Sequence, residues 1–318
     1  MLLLSRTADS LYWLSRYLFR ADSLLRSVRT NYITYLDNYQ DALQSWEQTL
    51  LIYSDLSEKN IGEIKHNSST VLFYLVSAQD NYNSLKSIVT RARENARAVQ
   101  DHITLEMWNQ VNKIYHLVNK EIEFSAVSGT ITLEQIDGLI KEIQLFIGLA
   151  DTTMPRGLGW NFLNTGKFVE RSLHTLSTIG IYTEIKEKYD TPALEDKDII
   201  YWKSMMLSLS GYELFLKTYN NGNHGYNALH QTFFNKYFPQ SVYYCVERLR
   251  RNLENILKSN DVEGKDALER QFGKLHSGIK FKDMDELNQK NILPFIDKTS
   301  KEIISFSNLF SKLYFAYY

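Results

Sequence analysis

Proline and glycine are scarce, with 4 prolines and 14 glycines in 318 residues. A β-rich chain needs a turn signal roughly every 8–12 residues, so this scarcity argues against sandwiches and barrels and for long helices. Cysteine is scarcer still. The single Cys245 rules out a disulfide framework within the chain and fits a reducing compartment. Long apolar runs are missing too. Stretches such as Val71 to Val76 fall far below the roughly 20 residues a membrane helix needs. The opening Met1-Leu2-Leu3-Leu4-Ser5-Arg6 is apolar but lacks the basic start and longer apolar centre of a secretory signal, so the expected location is the cytoplasm and no membrane partner is expected.

An excess of one charge is also absent. Lysine plus arginine number 36 against 37 aspartate plus glutamate, a net charge of −1. Nucleic-acid binders carry a basic excess that displaces counterions, so no nucleic-acid partner is expected. No cofactor is expected either: Gly157-Leu158-Gly159 has neither the spacing nor the preceding strand of a phosphate-binding loop. The Glu63-Ile64-Lys65-His66 stretch has the Glu-x-x-His spacing of di-iron bundles, but those need two such motifs and only one is present, so no metal is expected.

What is present is helical periodicity. Leu4, Ala8, Leu11, Leu18, Ala21, Leu25 and Val28 recur at three- and four-residue steps and predict one helix over 5–38. Similar stripes predict helices over 84–103, 157–188, 196–219, 224–236, 240–258, 264–274 and 284–316. Thr132-Leu133-Glu134-Gln135 has the form of a capping box opening a further helix, and Pro239 is expected in the first turn of the 240–258 helix. The predicted fold class is all-α, a bundle of long helices.

The second half also echoes the first. Arg16-Tyr17-Leu18-Phe19-Arg20-Ala21 aligns with Lys167-Phe168-Val169-Glu170-Arg171-Ser172. Trp46 aligns with Trp202, and Ser84, Leu85, Ile88, Val89, Arg91, Asn95 and Val99 align with Ser241, Val242, Cys245, Val246, Arg248, Asn252 and Ile256. Three anchors in the same order point to a duplication with halves at 1–150 and 151–318, packed as one helical body. Cys245, aligned with Ile88, reads as a core residue rather than a nucleophile.

The charged residues follow the same helices. Arg6, Asp9, Trp13, Arg16 and Arg20 fall on one face of the first helix, and Lys167, Glu170 and His174 share a face in its counterpart, with Arg171 beside it. Arg91, Glu94, Arg97 and Asp101 follow in the middle helix, with Glu106 beyond. Arginine presents a planar fork of donors suited to carboxylate or phosphate, and a shielded glutamate can exchange protons. The expected site therefore has Glu94, Glu106 and Glu170 as acid–base groups. Arg16, Arg20, Arg91, Arg97, Lys167, Arg171 and Trp13 are the expected ligand-binding groups. Each half keeps one of two glutamates, since Glu170 aligns with Phe19 and Glu94 with Arg251, which suggests one composite site. The alternative is a helical scaffold in which these charges only specify packing.

Several of these segments together resemble the bacterial alpha-E domain family. They are Leu4 to Leu18, Ala92-Arg93-Glu94-Asn95-Ala96-Arg97, Glu106-Met107-Trp108, Thr153-Met154, Gly159-Trp160, Gly166-Lys167-Phe168-Val169-Glu170-Arg171 and Phe238-Pro239-Gln240-Ser241-Val242. The resemblance spans nearly the whole chain. It implies an all-helical domain linked to ATP-grasp ligase-like and transglutaminase-like proteins, in the synthesis or modification of peptides through amide bonds. Where the family pattern has Glu-Arg-Ala, this chain has Phe19-Arg20-Ala21. It carries Ser15 in place of the usual Gly, and Lys167 and Gln240 in place of Arg.

Overall fold

The computed structural model describes residues 4–36, 46–128, 131–188, 195–220, 222–259, 262–287 and 290–315. Among these residues the regular structure is entirely helical. In chain order the helices are α1 (Ser5–Leu36), α2 (Glu47–Tyr53), α3 (Glu58–Ile64), α4 (Ser68–Val76), α5 (Leu85–Ala98), α6 (Leu105–Ser128) and α7 (Leu133–Thr153). They continue with α8 (Leu158–Lys188), α9 (Glu195–Ser208), α10 (Tyr212–Thr218), α11 (His224–Phe234), α12 (Val242–Ser259), α13 (Lys265–Lys280) and α14 (Ile292–Tyr314). A short 3-10 turn, Met284–Glu286, precedes α14. No helix of the described residues is long and apolar enough to cross a membrane.

The chain divides into two compact units. Unit one holds Met1–Arg16, Pro155–Trp202 and Gly211–Tyr318, and unit two holds Tyr17–Met154 and Lys203–Ser210.

Unit one is organised around α8, which packs against α12 and α14, while α13 packs against both of those helices. The buried positions of α8 include many small or polar residues, among them Asn161, Thr165, Gly166, Ser172 and Thr175. The hydroxyls of Thr165, Ser172 and Thr175 are hydrogen-bonded, whereas those of Thr178 and Thr183 are buried without a partner. Thr165 donates to the Asn161 carbonyl at 2.7 Å and Ser172 to the Phe168 carbonyl at 2.9 Å. Bonding back to the preceding turn lets a buried helix carry polar side chains while its neighbours approach closely.

The closest approach is at Gly166. A β-carbon there would lie 2.6 Å from Ser15 Oγ and closer still to the Tyr12 carbonyl oxygen, so only glycine fits. Ser15 Oγ donates to the Leu163 carbonyl at 2.5 Å, joining the first turns of α1 to α8. Below this crossing Tyr12, Phe162, Phe310, Tyr314 and Phe315 form an aromatic core, with ring centroids 4.9 Å apart for Phe310–Tyr314 and 5.2 Å for Tyr12–Phe315. Such offset pairs add about 1 kcal/mol each beyond the area they bury.

Unit two holds the rest of α1 and α2 to α7, with α6 packed on both α5 and α7. Leu18, Ala21, Leu25 and Val28 of α1 are buried, as are Ile88 and Ala92 of α5, Met107, Val111 and Ile114 of α6, and Ile136, Leu139 and Ile143 of α7. The stripe read from the sequence is thus the buried face of α1, except that Leu4 is 69% exposed. Asp22, 3% exposed, accepts from Arg26 Nε and Gln144 Nε2, each at 2.9 Å, which fastens α1 to α7. The capping box is present: Gln135 N donates to Thr132 Oγ1 and Thr132 N to Gln135 Oε1.

Several expectations need correction. The helix expected over 284–316 starts only at Ile292, as α14, after the separate 3-10 turn Met284–Glu286, and the one expected over 264–274 runs on to Lys280 as α13. The helix over 196–219 is two helices, α9 and α10. Ser210 adopts φ 55°, and Gly211 passes under Phe238 and Gln231 where a β-carbon would stand 2.7 Å from the Phe238 ring. Pro239 lies before its helix, not in its first turn; Ser241 Oγ accepts from Tyr244 N and opens α12. Residues 46–76 and 105–128, for which the sequence suggested no elements, form α2, α3, α4 and α6.

Candidate functional site

An enclosed charged pair joins α1 to α8 one turn beyond the Gly166 crossing. Arg16 Nε donates to Glu170 Oε2 at 2.7 Å, with the two side chains only 10% and 9% exposed. Arg16 Nη1 donates to the Tyr12 hydroxyl at 3.1 Å, and that hydroxyl lies 2.8 Å from Ser307 Oγ on α14. The guanidinium carbon sits 4.4 Å from the Trp13 ring centroid. Burial works against the Arg16 charge, yet the Tyr12 oxygen and the Glu170 carboxylate outweigh it, so the proton is held more firmly than usual. Tyr12 and Ser307, which complete this arrangement, are not among the residues singled out from the sequence.

Two further cations of α8 and one of α12 lie around a single ring in unit one. Lys167 Nζ lies 4.8 Å from the Phe168 centroid, the Arg171 guanidinium carbon 5.4 Å, and that of Arg248, reaching over from α12, 5.7 Å. Phe168 is buried, and Tyr244 stands beside it with centroids 6.2 Å apart. Arg171 Nη1 also donates to the Pro239 carbonyl at 3.0 Å, just ahead of the Ser241 cap. Arg248 was not an expected site residue, although its alignment with Arg91 was the signal that could have found it.

A comparable arrangement occurs within unit two. Arg20 and Arg91 each place a guanidinium carbon 6.0 Å from the Tyr17 centroid, and Arg91 also lies 5.3 Å from the Tyr82 ring. Arg20 Nη1 donates to Asn83 Oδ1 at 3.0 Å, just ahead of the Ser84 cap of α5.

The other expected residues lie in the open. Glu94 is 57% exposed on its side chain and faces Arg93 at 3.7 Å. Arg97 and Glu106 are exposed on α5 and in the first turn of α6. Glu63 and His66 are exposed at the end of α3 and in the turn after it. Cys245 is fully buried, and burial pushes its thiol up to about 12 against the opposing pull of Arg171 and Lys167. It is therefore held in the unreactive thiol form.

Comparison with curated proteins and with solved structures gave no match. A family model does match, over residues 3–315, and its description is a predicted alpha-helical domain with a conserved ER motif. The all-helical structure agrees with that description, and the match covers nearly all of the sequence: the chain belongs to the Alpha-E family.

Proposed function

We propose that this chain binds a carboxylate-bearing or peptide group through basic residues of α8 and α12, as the cytoplasmic partner of an ATP-grasp-like ligase in a peptide- or amide-forming system. The observation that carries the binding part is the clustering of basic side chains around one ring: Lys167, Arg171 and Arg248 around Phe168. The ligase and transglutaminase-like partners rest on the family resemblance. Nucleotide would be bound by the ligase, since no phosphate loop is found in this sequence.

The conserved ER motif in this reading is Glu170-Arg171. Of the three Glu-Arg pairs in the chain, Glu269 and Arg270 are both exposed, and Glu247 is engaged by Arg250 and His276. Glu170 reaches back to Arg16, and Arg171 reaches to Pro239. The motif thus aims its two side chains at different neighbours, one fixing α8 and the other lying at the basic cluster.

The two halves are further proposed to be copies of one ancestral unit. Support comes from α1 and α8, of 32 and 31 residues. It comes also from Ser84 and Ser241, both 0% exposed and both helix caps, and from the matching rings with their cations. The test is co-purification of the chain with an ATP-grasp-like ligase, followed by amide formation with and without the chain. Unchanged turnover without it would remove the partnership.

A second reading has its own observation. The burial of the Arg16–Glu170 pair fits a non-catalytic scaffold in which charge specifies packing. If Arg16→Ala unfolds the protein while Glu94→Ala leaves ligand and partner binding intact, the scaffold reading stands.

A further inference from the structure

We infer that Lys167, Arg171 and Arg248 form an oxyanion-binding site where α8 meets α12. The inference rests on the reading of Lys167 and Arg171 as ligand-binding residues, but not on the ligase partnership.

Lys167 and Arg171 stand four residues apart on α8 and so share a face. Arg248 belongs to α12, which packs against α8. All three charged groups lie within 6 Å of the centroid of Phe168, a buried ring. Contacts of this kind hold a guanidinium over a ring without using its N–H donors.

Arg248 shows what is left over. Among the described residues its contacts are the Phe168 and Tyr244 rings, and no carboxylate comes within ion-pair distance of it. Its neighbours on α12 are committed elsewhere. Arg250 is bonded to Glu247 and Glu254, and Arg251 also faces Glu247. Arg248 therefore offers five donors in a rigid fork, on a half-buried side chain that solvent still reaches. A planar fork that shares one ring with a lysine and a second arginine is the kind of donor set that recognises the oxygens of a carboxylate or phosphoryl group.

The test is calorimetric titration of the full chain with inorganic phosphate, and in a second arm with triglycine, whose free carboxylate represents a peptide terminus. Arg248→Gln is the principal variant because Arg248 makes no hydrogen bond within the described structure that its loss would break. Arg270→Gln, an exposed arginine of α13 outside both ring clusters, is the matched control. Saturable binding that weakens about tenfold in Arg248→Gln, and less than twofold in Arg270→Gln, supports the site. Tighter phosphate binding identifies a phosphoryl ligand, and tighter triglycine binding a peptide carboxylate at the same place. Binding that is absent in both arms, unchanged in Arg248→Gln, or equally weakened by Arg270→Gln overturns it. A failure of ligase co-purification with phosphate binding intact removes the partnership alone.

Discussion

Arg16 and Glu170, one on α1 and the other on α8, meet through a single 2.7 Å hydrogen bond with both side chains about nine-tenths buried. Removing one member of such a pair leaves a charge without its partner in a poorly solvated place. Glu170→Ala should therefore cost about 3–5 kcal/mol in urea unfolding, and the Arg16→Met/Glu170→Leu double variant should recover much of that. A loss below about 1 kcal/mol for the single change would mean that water reaches the pair.

Gly166 and Gly148 make a paired test of the helix crossing. Gly166→Ala drives a β-carbon into the Tyr12 carbonyl, which is backbone and cannot rotate away, so a loss of about 3 kcal/mol is expected. Gly148 sits in the interior of α7, and nothing lies within 4 Å of where a β-carbon would stand, so Gly148→Ala should stabilise by about 0.5–1 kcal/mol. Thermal unfolding of both variants against the parent checks the opposite signs.

Acid sensitivity should trace in part to Glu247. Hydrogen bonds from Arg250, and then from His276 on α13, hold its carboxyl down to about 2 against the opposing effect of burial. A depressed folded-state value means that the contribution is complete above the ordinary carboxylate range, near 4.5, and is lost as pH falls towards 2. Between pH 5 and pH 2.5 the parent should lose about 1–2 kcal/mol more than Glu247→Gln, by urea midpoints at each pH.

Cys245 should be inert until the protein opens. A fully buried thiol pushed up to about 12 presents almost no thiolate at neutral pH. Ellman's reagent at pH 8 should find no reactive thiol in the native protein and one per chain in denaturant.

The fold was legible where a long stripe repeated. The periodicity of α1 and the spacing in α8 gave their extents to within about two residues, the usual uncertainty at helix ends. The short helices α2 to α4 were not legible, because seven to nine residues make too few turns for a period to emerge. The helix α6 could have been found, since Met107, Val111, Ile114 and Val118 keep the same spacing. The break between α9 and α10 is set by Phe238 and Gln231, residues distant in sequence, so only the structure reveals it. At the site, the order of charges along α1 and α8 pointed to Arg16, Glu170, Lys167 and Arg171. It gave no hint that Tyr12 and Ser307 would complete the Arg16 environment, because Ser307 arrives from the far end of the sequence.

Unit one takes its first sixteen residues from one end of the chain and the rest from beyond Pro155. During synthesis Arg16 leaves the ribosome long before the glutamate that will meet it, and the Gly166 notch that receives the Tyr12 carbonyl is made later still than α1 itself. The opening turns of α1 must therefore wait for more than a hundred residues before docking, a closure of high contact order that belongs late in folding. A fragment beginning after residue 150 would carry α8 with its notch unfilled, and supplying the 1–36 segment as a separate peptide is the natural way to complete it.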